Sequence, residues 1–198
     1  MKPPDIAIVY EESLPADLFD DVGNSLKEEK LNVVVEVRPI SGPYAGLEWF
    51  LPTAAMVYIG KSYFDGFLKE AGKDHYNKLK ELLSGLTQKT MSIPKIEPII
   101  IASSEGKIRK NNPYSLALSI YAEANDGNKF KLLLPKPNKS TDYTEIIYKF
   151  LDFLNDFHNG VKVLEEIGVE EKKHIGRLIL VHMNSESRKI EWLDHTSA

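Results

Sequence analysis

Short apolar runs alternate with amphipathic segments through the first half of the chain. Apolar side chains recur at the spacing of one helix face over residues 14–26 and again over 64–86. Around these segments, four runs rich in β-branched residues have the length and composition of buried strands: residues 6–10, 31–37, 54–59 and 96–102. Strands that alternate with helices in this way predict an α/β fold with a mainly parallel central sheet.

The second half of the chain changes to hairpin patterns. Residues 116–122 and 129–134 are apolar and flank an Asn-Asp-Gly-Asn sequence at 125–128, which is a strong turn signal. Asp142 and Glu145 have the spacing of a helix capping box, and an apolar helix face follows them. The sequence therefore predicts an antiparallel hairpin and then a helix that packs on the sheet.

A second hairpin is predicted at the end of the chain, over residues 177–183 and 189–193. No polar stretch is long enough to be a domain linker, so we expect one domain over residues 1–198. The predicted architecture is a flavodoxin-like, three-layer fold. Residues 1–104 form its βα core, and residues 105–198 add the hairpins, the late helix and the antiparallel strands.

Composition narrows the class of protein. The chain has 198 residues, of which 42% are hydrophobic and 27% charged, as expected for a globular domain. Because no apolar run approaches the ~18 residues that cross a bilayer and no secretory signal is visible, we expect a soluble, cytoplasmic protein without a membrane partner. The net charge of −4 argues against nucleic-acid binding. Cysteine is absent, which excludes disulfides and thiolate chemistry.

Familiar cofactor and catalytic motifs are missing. The sequence contains neither a phosphate-binding P-loop nor a Gly-x-Gly-x-x-Gly dinucleotide fingerprint, and it has no Gly-x-Ser-x-Gly nucleophile elbow. Its five histidines do not have metal-ligand spacing. We therefore expect no metal and no bound cofactor.

Polar residues follow the predicted strands, where ligands bind in open parallel sheets. Acids, a base, hydroxyls and aromatic rings there could form a polar ligand pocket, although strand-end loops are polar in most soluble proteins. These candidate ligand-binding residues are Tyr10, Glu11, Arg38, Ser41, Tyr44, Ser62 and Tyr63.

Three segments of the first half resemble a divergent TIR (Toll/interleukin-1 receptor-like) domain. Residues 8–13 look like the opening strand and acidic loop of that family. Residues 38–44, which are rich in proline and glycine, stand where the family has its BB loop. Residues 56–64 resemble its third strand and the Ser-and-aromatic motif before the next helix. The resemblance covers residues 6–102 and implies the same flavodoxin-like layout.

Two functions follow from this resemblance. The first is a non-catalytic sensing or protein-interaction domain that acts by self-association or through a protein partner, in cellular defence or signalling. The second is an NAD-hydrolysing enzyme with NAD as substrate, in which Glu70 would be the catalytic carboxylate and Tyr10, Ser62 and Tyr63 would line the pocket. Enzymatic members have Trp-Cys-x-x-Glu, whereas Phe67 begins a sequence here in which the glutamate comes one residue early. We therefore expect the first function.

A receiver-like or nucleotide-binding module on the same sheet is a third interpretation. A receiver needs an aspartate at the end of the third strand, where this chain has Ile59, Gly60 and Lys61. The sequence therefore offers little support for phosphoryl transfer to an aspartate.

Overall fold

The computed structural model describes residues 3–40, 53–93, 112–169 and 177–194, except for the side chains of residues 66–73. Three α-helices are described: α1 (Ala16–Glu28), α2 (Leu68–Ser92) and α3 (Tyr143–His158). The strands are β1 (Ile6–Glu11), β2 (Val33–Arg38), β3 (Ala55–Ile59), β4 (Tyr114–Glu123), β5 (Lys129–Pro135), β6 (Leu178–Met183) and β7 (Ile190–Trp192). The predicted strand at 96–102 lies outside the described residues.

All seven strands join one sheet in the order β2-β1-β3-β4-β5-β6-β7. Three neighbouring pairs are parallel, namely β1–β2, β3–β4 and β5–β6. The other three, β1–β3, β4–β5 and β6–β7, are antiparallel. The α/β class and the antiparallel additions in the C-terminal half are confirmed, and the central sheet is mixed. Both predicted hairpins, β4–β5 and β6–β7, are also confirmed.

The direction of one strand in the first half of the chain differs from the prediction. Strand β3 runs antiparallel to β1, with Ile6 beside Ile59 and Tyr10 beside Ala55. A run that is apolar on both faces has the same pattern in either direction, and the prolines and glycines after β2 indicate only that the strand ends. The sequence therefore predicted this strand but not its orientation.

The three described helices pack side by side on one face of the sheet. On this face Tyr10 stacks on Phe19 of α1, with 4.3 Å between ring centroids, and Phe130 meets Phe153 of α3 edge-on at 5.1 Å. Gly23 brings α1 close to β2, because a Cβ at this position would lie 2.4 Å from a methyl group of Val35. The main apolar core lies between these helices and the sheet.

Local sequence signals account for the ends of several elements. The Asp142 carboxylate accepts a hydrogen bond of 3.0 Å from the Glu145 N–H and so caps α3, as the spacing predicted. Gly127 takes a φ of +83° in the β4–β5 turn, a conformation that favours glycine. A π-helical turn, Tyr63–Phe67, precedes α2. Among the described helices, none is long and apolar enough to cross a membrane.

Candidate functional site

The reversed direction of β3 separates residues that the sequence analysis placed at one edge of the sheet. Glu11, at the end of β1, donates its backbone N–H to the Ala54 carbonyl at 2.9 Å, next to the start of β3. Ser62, after the end of β3, donates its hydroxyl to Asp5 at 2.5 Å, next to the start of β1. The length of β1, roughly 20 Å at the usual rise per residue, separates these positions. The expectation that all the candidate residues lie at one edge of the sheet was therefore wrong.

Two of the three tyrosines among the predicted site residues, Tyr10 and Tyr63, lie in the core. Tyr10 is stacked on Phe19, and burial raises the pKa of its hydroxyl. Tyr63 is fully buried, and burial raises its pKa too. Ser41 and Tyr44 lie outside the described residues, as does the side chain of Glu70, whose backbone belongs to α2.

Glu11 and Arg38 lie together at the ends of β1 and β2. Arg38 Nη2 is 3.4 Å from Glu11 Oε1, and the same nitrogen donates to the Thr53 carbonyl. The Glu11 carboxylate is buried, and the Arg38 side chain is about three quarters buried, with 26% exposed. An ion pair at this depth is poorly screened by solvent, so it holds the ends of these strands and the residues before β3 together.

Hydroxyl groups continue from this ion pair across the sheet. Thr53 Oγ1 lies 2.7 Å from Ser119 Oγ, and Ser119 lies close enough to the hydroxyl of Tyr121 to affect its pKa. Tyr121 lies opposite Lys131 in the β4–β5 ladder, and Lys131 Nζ is 5.5 Å from the centre of the Tyr121 ring. We call this set the polar-face cluster; its members are Glu11, Arg38, Thr53, Ser119, Tyr121 and Lys131.

The polar-face cluster lies on the face of the sheet opposite the three described helices. Side chains alternate between faces along a strand, and Phe130 packs against α3, so Lys131 points to the other face. Lys131 is only 1% exposed. Because burial disfavours the charged amine, the pKa of Lys131 falls to about 8. Roughly a tenth of the amine is therefore neutral at pH 7.

A small cavity borders the cluster. Its volume is about 10 Å³, which is room for about one water molecule or one ligand oxygen. Polar residues that line it are Thr53, Asn112, Ser115, Ser119 and Lys131.

Arg38 has a hydrogen-bond donor that its neighbours leave unused. Its Nε atom is buried and has no acceptor among the described residues, although its Nη2 atom is engaged. Buried donors in proteins are nearly always paired, so such a group commonly marks a place for a bound acceptor. The buried Nε–H of Arg38 can therefore donate to an anion that enters the cluster.

Sequence reasoning identified Glu11 and Arg38 but missed Thr53, Ser119, Tyr121 and Lys131. Strand β5 reads as apolar from Phe130 to Leu134 apart from Lys131, and a lone lysine inside such a run signals a buried charge. Ser119 gives a weaker signal of the same kind between two buried neighbours, Leu118 and Ile120.

A second polar group lies at the other end of the sheet and has a structural role. The His158 ring stacks on Phe64 at 4.2 Å, and its Nε2–H donates to the Glu123 carbonyl at 2.9 Å. Burial lowers the pKa of His158. The Glu123 carboxylate accepts the Lys61 backbone N–H at 3.1 Å, where the helical segment begins. These contacts tie the end of α3 to the start of that segment. Within the described part of the chain, no group of three or more residues could hold a metal ion.

Comparison with known proteins adds no relative. No protein-family model matches the chain, and neither a curated protein nor a solved structure matches it.

Proposed function

We propose that this chain is a non-catalytic sensing domain that binds a small anion at the polar-face cluster. The buried, unused Nε donor of Arg38 carries the proposal, because an oxyanion supplies the acceptor that this donor lacks. Lys131 is the second cation, and the hydroxyls of Thr53 and Ser119 lie between the two.

The geometry favours binding over catalysis. The Thr53 hydroxyl donates to the Ala55 carbonyl at 2.6 Å and also contacts Ser119, so it is not poised as a nucleophile. The neighbouring cavity has room for about one oxygen of a bound anion. The cluster connects β1, β2, β4 and β5 through hydrogen bonds and close contacts. A bound anion would stabilise the pairing of both halves of the chain, which suits a sensor.

Titration with inorganic phosphate, sulfate and malonate, followed by calorimetry and thermal unfolding at pH 7, tests this function. We expect at least one anion to bind saturably and to stabilise the protein by about 2.7 kcal/mol at a hundred times its Kd. Lys131→Met should weaken that binding at least tenfold. Lys129→Met is the matched control, because Lys129 lies two residues away in the same strand but is exposed. Failure of all three anions, or equal binding by Lys131→Met, contradicts the proposal.

NAD hydrolysis through Glu70 is the second candidate, raised by the resemblance to TIR domains. One observation favours NAD hydrolysis. Ser62 and Tyr63 directly precede the helix that carries Glu70, so these three residues come from one end of the sheet. Tyr10, the fourth residue that it would use, is stacked on Phe19 in the core.

A further inference from the structure

A groove lies between α3 and the terminal hairpin. Its volume is about 410 Å³, within the range of ligand-binding clefts. Helix α3, the 3₁₀ turn Leu164–Ile167 and strand β7 form its walls. The buried side chains of Phe153, Ile167 and Ile190 contribute an apolar floor. We call it the α3–β7 groove.

One end of the α3–β7 groove is basic. Lys149, Arg188 and Lys189 line it there. Arg188 is neutralised by Glu145, since its Nε donates to Glu145 Oε1 at 3.1 Å and its Nη2 contacts the other oxygen. Neither Lys149 nor Lys189 forms a salt bridge within the described part of the chain, and both are exposed. Lys189 also interacts electrostatically with Glu191, so this end carries a net positive charge of about +1, available to an incoming carboxylate.

The other end of the groove has an excess of negative charge. Lys162 Nζ lies 3.5 Å from Asp156 Oδ2, so these two charges offset each other. Glu166 also lines the groove there and forms no salt bridge among the described residues. Midway along, Asp152 is paired with Lys80 of α2 at 2.5 Å. The α3–β7 groove is thus polarised, with an excess of basic side chains at one end and a glutamate that forms no described salt bridge at the other.

The distance between the two ends sets the size of the occupant. Lys149 and Asp156 are seven residues apart on α3, which corresponds to about 10 Å along the helix axis. An extended peptide covers this distance in about three residues. Two exposed valines, Val161 (67%) and Val163 (49%), flank Lys162 in the chain and add apolar surface beside the acidic end.

We propose that the α3–β7 groove binds an extended segment of a partner protein that carries an acidic and a basic residue about three positions apart, with apolar residues between them. The acidic side chain meets Lys149 and Lys189, the basic side chain meets Glu166, and the apolar residues cover the floor. This complementarity of charge and spacing does not depend on the anion site on the opposite face of the sheet.

Fluorescence polarisation with a fluorescein-labelled, C-terminally amidated Glu-Leu-Val-Lys peptide tests the proposal at low salt. We expect saturable binding that weakens as salt rises, because exposed charges are screened. Glu-Ser-Ser-Lys, which keeps the charges and loses the apolar residues, and Glu-Leu-Val-Glu, which loses the basic residue, should each bind more weakly. If the first peptide does not bind, or all three bind equally, the proposal fails.

Charge reversal of the groove provides the matched comparison. Lys149→Glu combined with Lys189→Glu should weaken Glu-Leu-Val-Lys about tenfold or more and should strengthen Lys-Leu-Val-Lys. Lys78→Glu combined with Lys139→Glu makes the same change in net charge at exposed positions outside the groove and should alter binding less than twofold. Equal effects of the two pairs would assign the binding to net charge alone and overturn the proposal. Sedimentation tests the remaining alternative. If the wild-type protein forms dimers that the peptide dissociates, the occupant of the groove is a second copy of this chain, and the proposal is overturned.

Discussion

Lys131 is the residue at which burial and charge oppose each other most clearly. It lies in the middle of β5 and is almost completely buried, and its pKa falls from 10.5 to about 8. Keeping the amine protonated in this place costs free energy, since water solvates the ammonium group better than the protein does. The free energy of unfolding should therefore depend on the protonation of this amine.

Protein stability should rise with pH between about pH 8 and pH 10 because of this lysine. The folded pKa is depressed, so in this window the unfolded chain binds more protons than the folded one, and the free energy of unfolding increases with pH. Urea unfolding of wild type and Lys131→Met at pH 7.5, 8.5 and 9.5 measures this. Lys131→Met should lack this rise and should be more stable at pH 7.5. A wild-type rise that persists in Lys131→Met would assign it to other groups.

We expect no measurable release of nicotinamide from NAD by this protein. A catalytic carboxylate acts from a site that excludes water, whereas Glu70 has Lys69 and Lys73 close to it in the sequence. The hydroxyl of Ser62, which would line the pocket, is already donated to Asp5. The assay compares wild type with Glu70→Gln over a wide range of protein concentration. Release that Glu70→Gln abolishes would establish the enzyme instead.

At the scale of the elements, α3 shows how a regular pattern becomes a packed helix. Its buried side chains face the sheet, and Phe130 of β5 meets the rings of Phe153 and Phe157 edge-on at 5.1 and 5.2 Å. The cap at Asp142 lies where the spacing predicted it. Local signals and tertiary packing agree in this helix, so its position was readable from the sequence.

Phe150→Ala and Leu154→Ala should each lower the free energy of unfolding by roughly 2–5 kcal/mol. Both side chains are fully buried, and truncation leaves a cavity in a packed core. Urea midpoints at pH 7 measure the change. Lys149→Ala on the exposed side of the same helix should shift stability by less than about 0.5 kcal/mol. Core variants that unfold at the wild-type midpoint would show that α3 is peripheral.

Two helix glycines should respond in opposite ways to alanine. Gly85→Ala in α2 enters open space and should stabilise by about 0.5–1 kcal/mol through helix propensity. Gly23→Ala in α1 should destabilise, because the new Cβ would lie 2.4 Å from Val35 Cγ2. Thermal unfolding of both variants gives the comparison, and Gly23→Ala with Val35→Ala should recover part of the loss. Stabilisation by Gly23→Ala alone would mean that α1 is not tightly seated on β2.

At the scale of the whole molecule, one sheet joins the two halves of the chain. Strand β3 from the first half pairs in parallel with β4 from the second, and the polar-face cluster extends from Glu11 to Lys131 across the same boundary. The single domain over residues 1–198 stays a prediction, and contacts of this kind turn it into an expectation about cooperativity.

Both halves should unfold in one transition. Trp192 in β7 reports on the end of the sheet, and Trp49→Phe makes it the only tryptophan in the chain. Far-ultraviolet circular dichroism reports on all helices and strands. The two urea curves should coincide if the halves are one cooperative unit. A fluorescence transition that precedes or follows the dichroism transition would show two units that unfold separately.

Much of the fold could be read from the chain because local physics specifies it. Turn chemistry at Gly127, the cap at Asp142 and the apolar period of α3 depend on neighbouring residues, and so do the limits of β1 and of both hairpins. The candidate site was only partly readable. Glu11 and Arg38 were found by their place after strands, whereas Thr53 and Ser119 meet across 66 positions of sequence.

The sequence by itself determined the α/β class, the order of most described elements and the core face of α3, because each follows from periodicity and turn residues over short stretches. Only the tertiary structure decided the direction of β3, the face to which Lys131 points and the polarised groove beside α3. Strand direction depends on which non-local backbone partners pair, and an apolar run pairs equally well in both directions. Sites made from distant residues depend on that choice, and local sequence patterns do not contain it.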